Sequence, residues 1–288
     1  MTISLLLVPV LLLAIVALLG FVGCGLDSQG TASPITSDPY TTVVAATPDL
    51  VAWWPLKDAA LPTAAADAVG PGPDGSYPGT YGTRADPVGK PGLSAKSPGT
   101  LNLGQGSLIS NDASRGSIEV DGGYAEVVPF HAELNTDQFT LEAWVRTDWT
   151  EADEKAYRIV YFSRETAVDH GLQLHANPDN RWEVFVGDNT PNGTLLTASM
   201  PIISLGTTDY LAVTYDGTML KLYVNGNKRG EVAVSYFPNA VRPLSIGAAV
   251  LDPPAHIFPF KGRIAEVAYY NRDLADIEIY YHVKAAIV

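Results

Sequence analysis

Three short runs of alternating side chains limit this chain to an antiparallel β fold. The runs are Phe139–Arg146, Tyr210–Gly217 and Leu220–Gly226, and apolar or aromatic residues recur in each at every second position. A period of two places alternate side chains on opposite faces of a strand. The second and third runs end in Asp-Gly and Asn-Gly, the dipeptides that close tight hairpins. The pattern therefore predicts antiparallel strands joined by short turns.

Further strand-like runs follow one another between residues 117 and 270, and turn signals such as Pro191-Asn-Gly separate most of them. Many short strands at this spacing predict a β-sandwich or barrel. The composition agrees, because Gly (26) and Pro (21) are abundant and charged residues make up only 17% of the 288 residues. Residues 57–98 show no strand or helix period and predict a long surface excursion, whereas Asp276–Val288 predicts a short helix or final turn.

Residues 1–24 form an apolar segment that predicts a membrane anchor. Ile3 to Val22 carry no charge, and a helix of that length spans about 30 Å, the hydrocarbon thickness of a bilayer. We expect a retained signal-anchor helix, and two alternatives stay open. One is a cleaved secretion signal. The other is a lipoprotein signal, since Phe21-Val-Gly-Cys24 resembles a lipobox and would place the lipid on Cys24.

The apolar segment is followed by a short polar region and then by the strand-rich part of the chain. Residues 25–47 are small, polar and proline-containing, a composition that predicts a flexible linker. We expect one folded domain over residues 48–288, beginning with a strand at Leu50–Leu56.

Several of the strand runs resemble the motifs of one known family. These runs are Val120–Val127, Phe139–Val145, Leu211–Gly217, Leu220–Gly226 and Phe260–Leu274. Together they resemble the bacterial form of the concanavalin A-like, laminin G-like (LamG, pentraxin-like) domains, over about residues 48–288. The resemblance implies an all-β fold, a concanavalin A-like antiparallel β-sandwich (jelly roll), here preceded by one N-terminal transmembrane helix. It also implies a protein that binds or scaffolds, because that family seldom catalyses.

The residues that carry the resemblance are mostly structural. We expect Trp144, Tyr215 and Tyr223 in the core or on a sheet face rather than in a ligand site. The glycines of the Asp216-Gly and Asn225-Gly turns supply the positive φ that such turns need.

The resemblance also implies a calcium site, since some relatives bind calcium through loop carboxylates and backbone carbonyls. The candidate ligands in this chain are Asp67, Asp121 and Glu266. Ala265 stands in the closing strand where the family often has Asp, and this departure removes one further ligand.

A catalytic constellation is not recognisable in the sequence. Glycoside hydrolysis needs two carboxylates held across a cleft, and the run Glu151-Ala-Asp-Glu lies in a predicted loop with the wrong spacing. His170 and His175 are five residues apart and would face opposite sides of one strand. The net charge of −13 argues against nucleic acid as the main partner. We predict that the chain is not an enzyme and requires no cofactor.

These observations predict a membrane-anchored, extracytoplasmic, non-catalytic recognition module for glycan or protein. Loops 57–98 and 147–156 would form its binding surface, and Trp149 is the candidate ligand-stacking residue, with packing at the rim as its alternative role. The domain would lie in the periplasm or at the cell surface, on a single membrane span. The alternative functions are a structural or accessory subunit of a larger membrane complex and, third, a carbohydrate-active enzyme.

Overall fold

The computed structural model describes residues 39–59, 77, 79–83, 99–150, 156–200, 202–250 and 256–287. All of them belong to one compact unit, Ser37–Val288. Within these ranges, no helix is long and apolar enough to cross a bilayer. The predicted anchor at residues 1–24 lies outside the described residues and stays a prediction.

Strands dominate the described part of the chain. The strands are β1 (Leu50–Trp54), β2 (Thr80–Thr83), β3 (Thr100–Gln105), β4 (Ser117–Asp121), β5 (Gly123–Val127), β6 (Phe139–Thr147), β7 (Arg158–Glu165), β8 (His170–Ala176), β9 (Trp182–Val186), β10 (Thr194–Thr197), β11 (Thr208–Tyr215), β12 (Met219–Val224), β13 (Asn227–Ala233), β14 (Leu244–Ile246), β15 (Ala249–Val250), β16 (His256–Ile257) and β17 (Lys261–Tyr270). The helices are α1 (Pro39–Ala46), a 3-10 turn at Ala132–Leu134, and α2 (Asp276–Ile287).

Two antiparallel sheets face each other across one core. The eight-stranded sheet has the order β13-β12-β11-β6-β17-β4-β3, and β1 pairs with the second half of β17. The seven-stranded sheet has the order β10-β9-β8-β7-β14-β5-β2, and β15 and β16 form a small separate ribbon. The predicted antiparallel β-sandwich is confirmed.

The central strand β6 shows how the alternating sequence builds the sandwich. Phe139, Leu141, Ala143 and Val145 are buried in the core between the sheets, whereas Trp144 packs on the opposite face of the same sheet. The turns behave as their sequences predict. In the β12–β13 hairpin, for example, Asn225 and Gly226 have φ of 52° and 75°. The alternation therefore sets the register in which β6 pairs with its neighbours and determines which of its side chains face the core.

Two helices cover the outer face of the eight-stranded sheet. Tyr40 and Val44 of α1 are buried there, and α1 lies beside α2. The prediction of a flexible linker extending to residue 47 is therefore wrong over residues 39–46. The physical reason is that Tyr40 and Val44, four residues apart, share one face of a helical turn and have an apolar surface to pack on. The aromatic residues Trp144 and Tyr223 of this face are buried, as predicted.

A second correction concerns the excursion predicted at residues 57–98. Thr80–Thr83 form the edge strand β2, which pairs with β5 in register Thr80↔Glu126 to Thr83↔Gly123. Most of the remaining excursion lies outside the described residues. The strand escaped prediction because only four residues pair, too few for a period to be recognised.

A buried histidine–carboxylate pair, His282 and Glu142, lies beneath the helices. Glu142 of β6 accepts a hydrogen bond from the Tyr210 hydroxyl, and His282 Nδ1 of α2 lies 2.8 Å from the same Glu142 Oε1. The other ring nitrogen, Nε2, lies 2.9 Å from Thr47 Oγ1. His282 thus links α2 both to the sheet and to the residue that follows α1.

Candidate functional site

In the part of the chain that the structure describes, the outer face of the seven-stranded sheet contains a groove of about 250 Å³. The outer groove, as it is called from here on, is formed by β7, β8 and β9 together with segments near β10 and β16. Its lining residues are Tyr157, Phe162, Arg164, Thr166, Gln173, His175, Phe185, Asn192, Leu195, Ala249 and Phe258.

The strand alternation brings the floor of the groove together. On β8, Leu172 and Leu174 are buried in the core between the sheets, so Gln173 and His175 lie on the outer face. On β9, Glu183 and Phe185 likewise alternate with core residues. The antiparallel register pairs Gln173 with Phe185 and His175 with Glu183, which aligns the four side chains in two adjacent rows.

Two aromatic side chains form the rim. Tyr157 is 38% exposed and Phe258 is 39% exposed, and their ring centroids lie 5.9 Å apart in an edge-to-face arrangement. Tyr157 also meets the His175 ring edge-on, with a centroid distance of 5.2 Å. Large apolar rings that remain this exposed beside a cavity offer a contact surface for a ligand.

The floor holds a chain of directed hydrogen bonds. His175 Nε2 lies 3.0 Å from Glu183 Oε1, and His175 Nδ1 lies 3.0 Å from Gln173 Nε2. Because a carboxylate only accepts and an amide nitrogen only donates, this geometry assigns the hydrogen of His175 to Nε2. Gln173 Oε1 in turn accepts from Arg164 Nη1 at 3.4 Å. One network thus links Arg164, Gln173, His175 and Glu183 along the floor.

The carboxylate at the end of this network is well satisfied. Glu183 is buried, and its Oε2 accepts hydrogen bonds from Asn177 at 3.1 Å and from the Thr197 hydroxyl. Burial acts to raise the pKa of the Glu183 carboxyl, but the hydrogen bonds that it accepts hold that pKa below its ordinary value. Glu183 is therefore a charged, fully engaged acceptor at neutral pH.

Arg164 is the cation of the groove, and it is also held in place. Its guanidinium lies over the Phe185 ring, 3.4 Å from the centroid, and its Nη2 pairs with Asp169 Oδ1. Burial lowers the pKa of the Arg164 guanidinium, and the hydrogen bond to Asp169 counteracts that effect. The ring and the carboxylate together fix a planar group at one end of the groove.

Comparison with protein families identifies the fold. A laminin G family model, described as the concanavalin A-like lectin/glucanases superfamily, matches residues 121–280. The chain belongs to the concanavalin A-like lectin/glucanase superfamily. The family inferred from the sequence motifs is thereby confirmed.

Solved structures share the fold of this concanavalin A-like domain at low sequence identity. The binding domain of botulinum neurotoxin serotype D/C VPI 5993 has a TM-score of 0.56 and 12% identity, and the match covers 83% of this chain and 52% of that one. The binding domain of botulinum neurotoxin DC in complex with SialylT has a TM-score of 0.52 and 13% identity, covering 83% and 51%.

Domain 4 of AbnA, a GH43 extracellular arabinanase from Geobacillus stearothermophilus solved with arabinotriose, has a TM-score of 0.49 and 19% identity, covering 83% and 98%. This chain spans about half the length of the neurotoxin domains that it matches. No curated protein matches it in sequence.

Trp149, the ligand-stacking residue proposed from the sequence, is not in the outer groove. Its side chain is only 4% exposed, its indole Nε1 donates to Asn180 Oδ1 at 3.2 Å, and its ring meets Phe260 edge-on. Arg158 lies over the ring, 4.9 Å from the centroid. This placement favours the alternative role of packing at the rim of the sandwich.

The two proposed calcium ligands that the structure describes, Asp121 and Glu266, are not brought together. Glu266 is fully buried, and its carboxylate is held by Arg115 and Trp53. Asp121 of β4 lies opposite Lys261, the first residue of β17, with its carboxylate 3.7 Å from the lysine amine. Asp67 lies outside the described residues. Glu266 and Asp121 do not fit a shared calcium site, and the described ranges contain no cluster of three or more His, Cys, Asp or Glu side chains suited to a metal.

The carboxylates near the groove also do not form a hydrolytic pair. Glu183 is engaged by three hydrogen-bond donors, and Asp169 pairs with Arg164. A glycosidase needs one carboxyl group free to donate a proton and a second free to attack or to activate water. The run at residues 151–154, which the sequence analysis rejected as a catalytic motif, lies outside the described residues.

Part of the groove is foreshadowed by the alternation of two strands in the sequence. The run His170-Gly-Leu-Gln-Leu-His-Ala alternates Gln173 and His175 with leucines, and the run from Trp182 alternates Glu183 and Phe185 with core residues. Polar side chains at every second position of two paired strands predict a polar outer face. The contribution of Tyr157 and Phe258 could not be predicted, because the two residues are distant in sequence and their rings meet only in the folded chain.

Proposed function

We propose that this domain is a non-catalytic glycan-binding module and that the outer groove is its binding site. The observation that carries the proposal is the exposed pair Tyr157 and Phe258 above a floor of oriented polar groups. A sugar ring has an apolar C–H face and an edge of hydroxyl groups. The aromatic rim suits the C–H face, and the amide groups that line the groove suit the hydroxyl edge.

The family and its solved relatives support the proposal at the level of the fold. The superfamily description includes lectins, and the neurotoxin DC domain of the same fold was solved with SialylT. At 13% identity such a likeness does not transfer a binding site, so the proposal depends on the groove of this chain.

The test is a binding screen with the full-length protein on a glycan array, followed by titration of each hit. Tyr157→Ala and Phe258→Ala should each weaken binding by about 1–2 kcal/mol, which is roughly 5- to 30-fold in Kd, because each removes an aromatic contact. Tyr281→Ala is the matched control, since Tyr281 is an exposed tyrosine on α2 and does not line the groove. Equal binding by all four proteins would refute the groove as the site.

We further propose that the module is held outside the cytoplasm by its N-terminal segment. The uncharged run Ile3 to Val22 is long enough to span a bilayer, and an anchored, acidic binding domain suits an extracytoplasmic position. The intact mass of the mature protein tests the anchor. A chain that retains residues 1–24 supports a signal-anchor, whereas a chain that begins at Cys24 with added lipid contradicts it.

A second candidate function is an accessory subunit of a membrane complex, and one observation favours it. Ile277, Tyr280, Tyr281 and Ile287 are all exposed on α2, so the outward face of this helix is apolar. Surfaces of this kind mark protein contacts. Purification from native membranes distinguishes the two functions. A stable complex that is lost in Tyr281→Ser favours the subunit, and a monomer that binds glycan excludes it.

A further inference from the structure

We infer that the outer groove selects neutral sugars over acidic ones. The inference rests on the proposed glycan-binding function and names the class of ligand. It follows from the way in which the charged groups of the groove are already paired with one another.

Among the described residues that line the groove, Arg164 supplies the one guanidinium, and it is already paired with a carboxylate. Arg164 Nη2 pairs with Asp169, Nη1 donates to Gln173 Oε1, and the guanidinium plane lies against Phe185. Nη1 and Nη2 are therefore each engaged, one face of the guanidinium is covered by Phe185, and Nε is buried. A sugar carboxylate that bound Arg164 in place of Asp169 would leave the Asp169 carboxylate beside a second anion.

The network around Glu183 also disfavours the binding of an anionic ligand. Glu183 lies behind His175, and its lowered pKa keeps the carboxylate charged at neutral pH. Gln173 joins this network to Arg164, so the floor of the groove carries one fixed cation between two carboxylates. An anionic ligand entering the groove would be repelled by both of them.

The groups left over for a ligand are uncharged. The Gln173 amide nitrogen has a second hydrogen beyond the one directed at His175 Nδ1, and Asn192 is exposed, with no hydrogen bond to its side-chain amide from the described residues. Amides donate to and accept from hydroxyl groups equally well. Together with the rings of Tyr157 and Phe258, these amides form a surface that is complementary to a neutral sugar.

The first test compares the full-length protein on two sets of oligosaccharides by calorimetry. The neutral set contains gluco-, manno-, xylo- and arabino-oligosaccharides, and the acidic set contains sialyllactose and oligogalacturonates. The expected result is binding to at least one neutral ligand, weakened by Tyr157→Ala, and binding at least about tenfold weaker to every acidic one. Acidic ligands that bind more tightly than neutral ones, with the same loss in Tyr157→Ala, would overturn the inference and leave the proposed function standing. Binding to neither set would overturn both.

The second test is a gain of function. Asp169→Asn removes the partner of Arg164 while keeping a residue that tolerates the positive φ of 56° at this position. We expect the ratio of acidic to neutral affinity to rise about tenfold, the size of change that removal of one nearby charge produces, and the new acidic binding to weaken in high salt. Asp121→Asn, which removes an exposed carboxylate on the other sheet, is the matched control. An unchanged ratio in a folded Asp169→Asn protein would overturn the inference.

Discussion

Replacement of Arg115 by methionine tests whether Glu266 has a structural role. Arg115 is 8% exposed and Glu266 is fully buried. Two hydrogen bonds join them, Nε to Oε1 at 2.9 Å and Nη2 to Oε2 at 2.6 Å, and Trp53 Nε1 donates to the same Oε2 at 2.9 Å. A bulge in β17, where Glu266 has φ of 54°, turns this side chain toward Arg115 beneath α1.

The magnitude follows from the burial of both partners. A surface ion pair contributes little, but removal of one partner from a buried pair leaves an uncompensated charge and costs about 3–5 kcal/mol. Methionine keeps the length and apolar stem of arginine, so the cost reports the lost charge rather than a cavity. For a folded unit of this size, the loss corresponds to a decrease in Tm of roughly 6–20 °C.

The assay is chemical denaturation of four proteins: wild type, Arg115→Met, Glu266→Gln and the double variant. The double variant should lose less free energy of unfolding than the sum of the two single variants, because neither charge remains alone in the interior. A loss below about 1 kcal/mol for Arg115→Met would refute the reasoning, since that value is typical of an exposed pair. Calcium should leave the Tm of wild type unchanged. A calcium-dependent rise in Tm that disappears in Glu266→Gln would instead support Glu266 as a calcium ligand.

Two further predictions concern the helices on the eight-stranded sheet. Tyr40→Ala should destabilise the domain by about 3–5 kcal/mol in chemical denaturation, because the fully buried ring packs between Trp53 and Trp144. If the free energy of unfolding is unchanged, α1 does not contribute to the folded domain and is a detachable linker. Burial acts to lower the pKa of His282, but Glu142 outweighs burial and the pKa stands above its ordinary value of 6.5. The protonated form is therefore favoured by folding, so its stabilising contribution should be complete below pH 6.5 and should be lost as the pH rises through the raised pKa. His282→Gln should abolish this part of the pH dependence of unfolding, and an unchanged profile would contradict the assignment.

The fold was predictable because its information is local. The alternation of Phe139–Arg146 and the Asp-Gly and Asn-Gly turns decide which side chains face the core and where strands reverse, and these interactions involve near neighbours in sequence. The closing strand and the C-terminal helix α2 were predictable for the same reason. The helix α1 was not, because Tyr40 and Val44 are held by a sheet whose strands come from distant parts of the chain.

Period-two alternation and turn chemistry repeat along the chain, so the antiparallel sandwich of the concanavalin A-like family can be recognised from the sequence. The outer groove proposed as the binding site, by contrast, exists only in the folded chain. Tyr157 and Phe258 are separated by about a hundred residues, and their rings meet only after β7 and the segment near β16 are brought together. The pairing of Arg164 with Asp169 and of His175 with Glu183 likewise depends on sheet register, so the charge of the groove is a property of the folded chain.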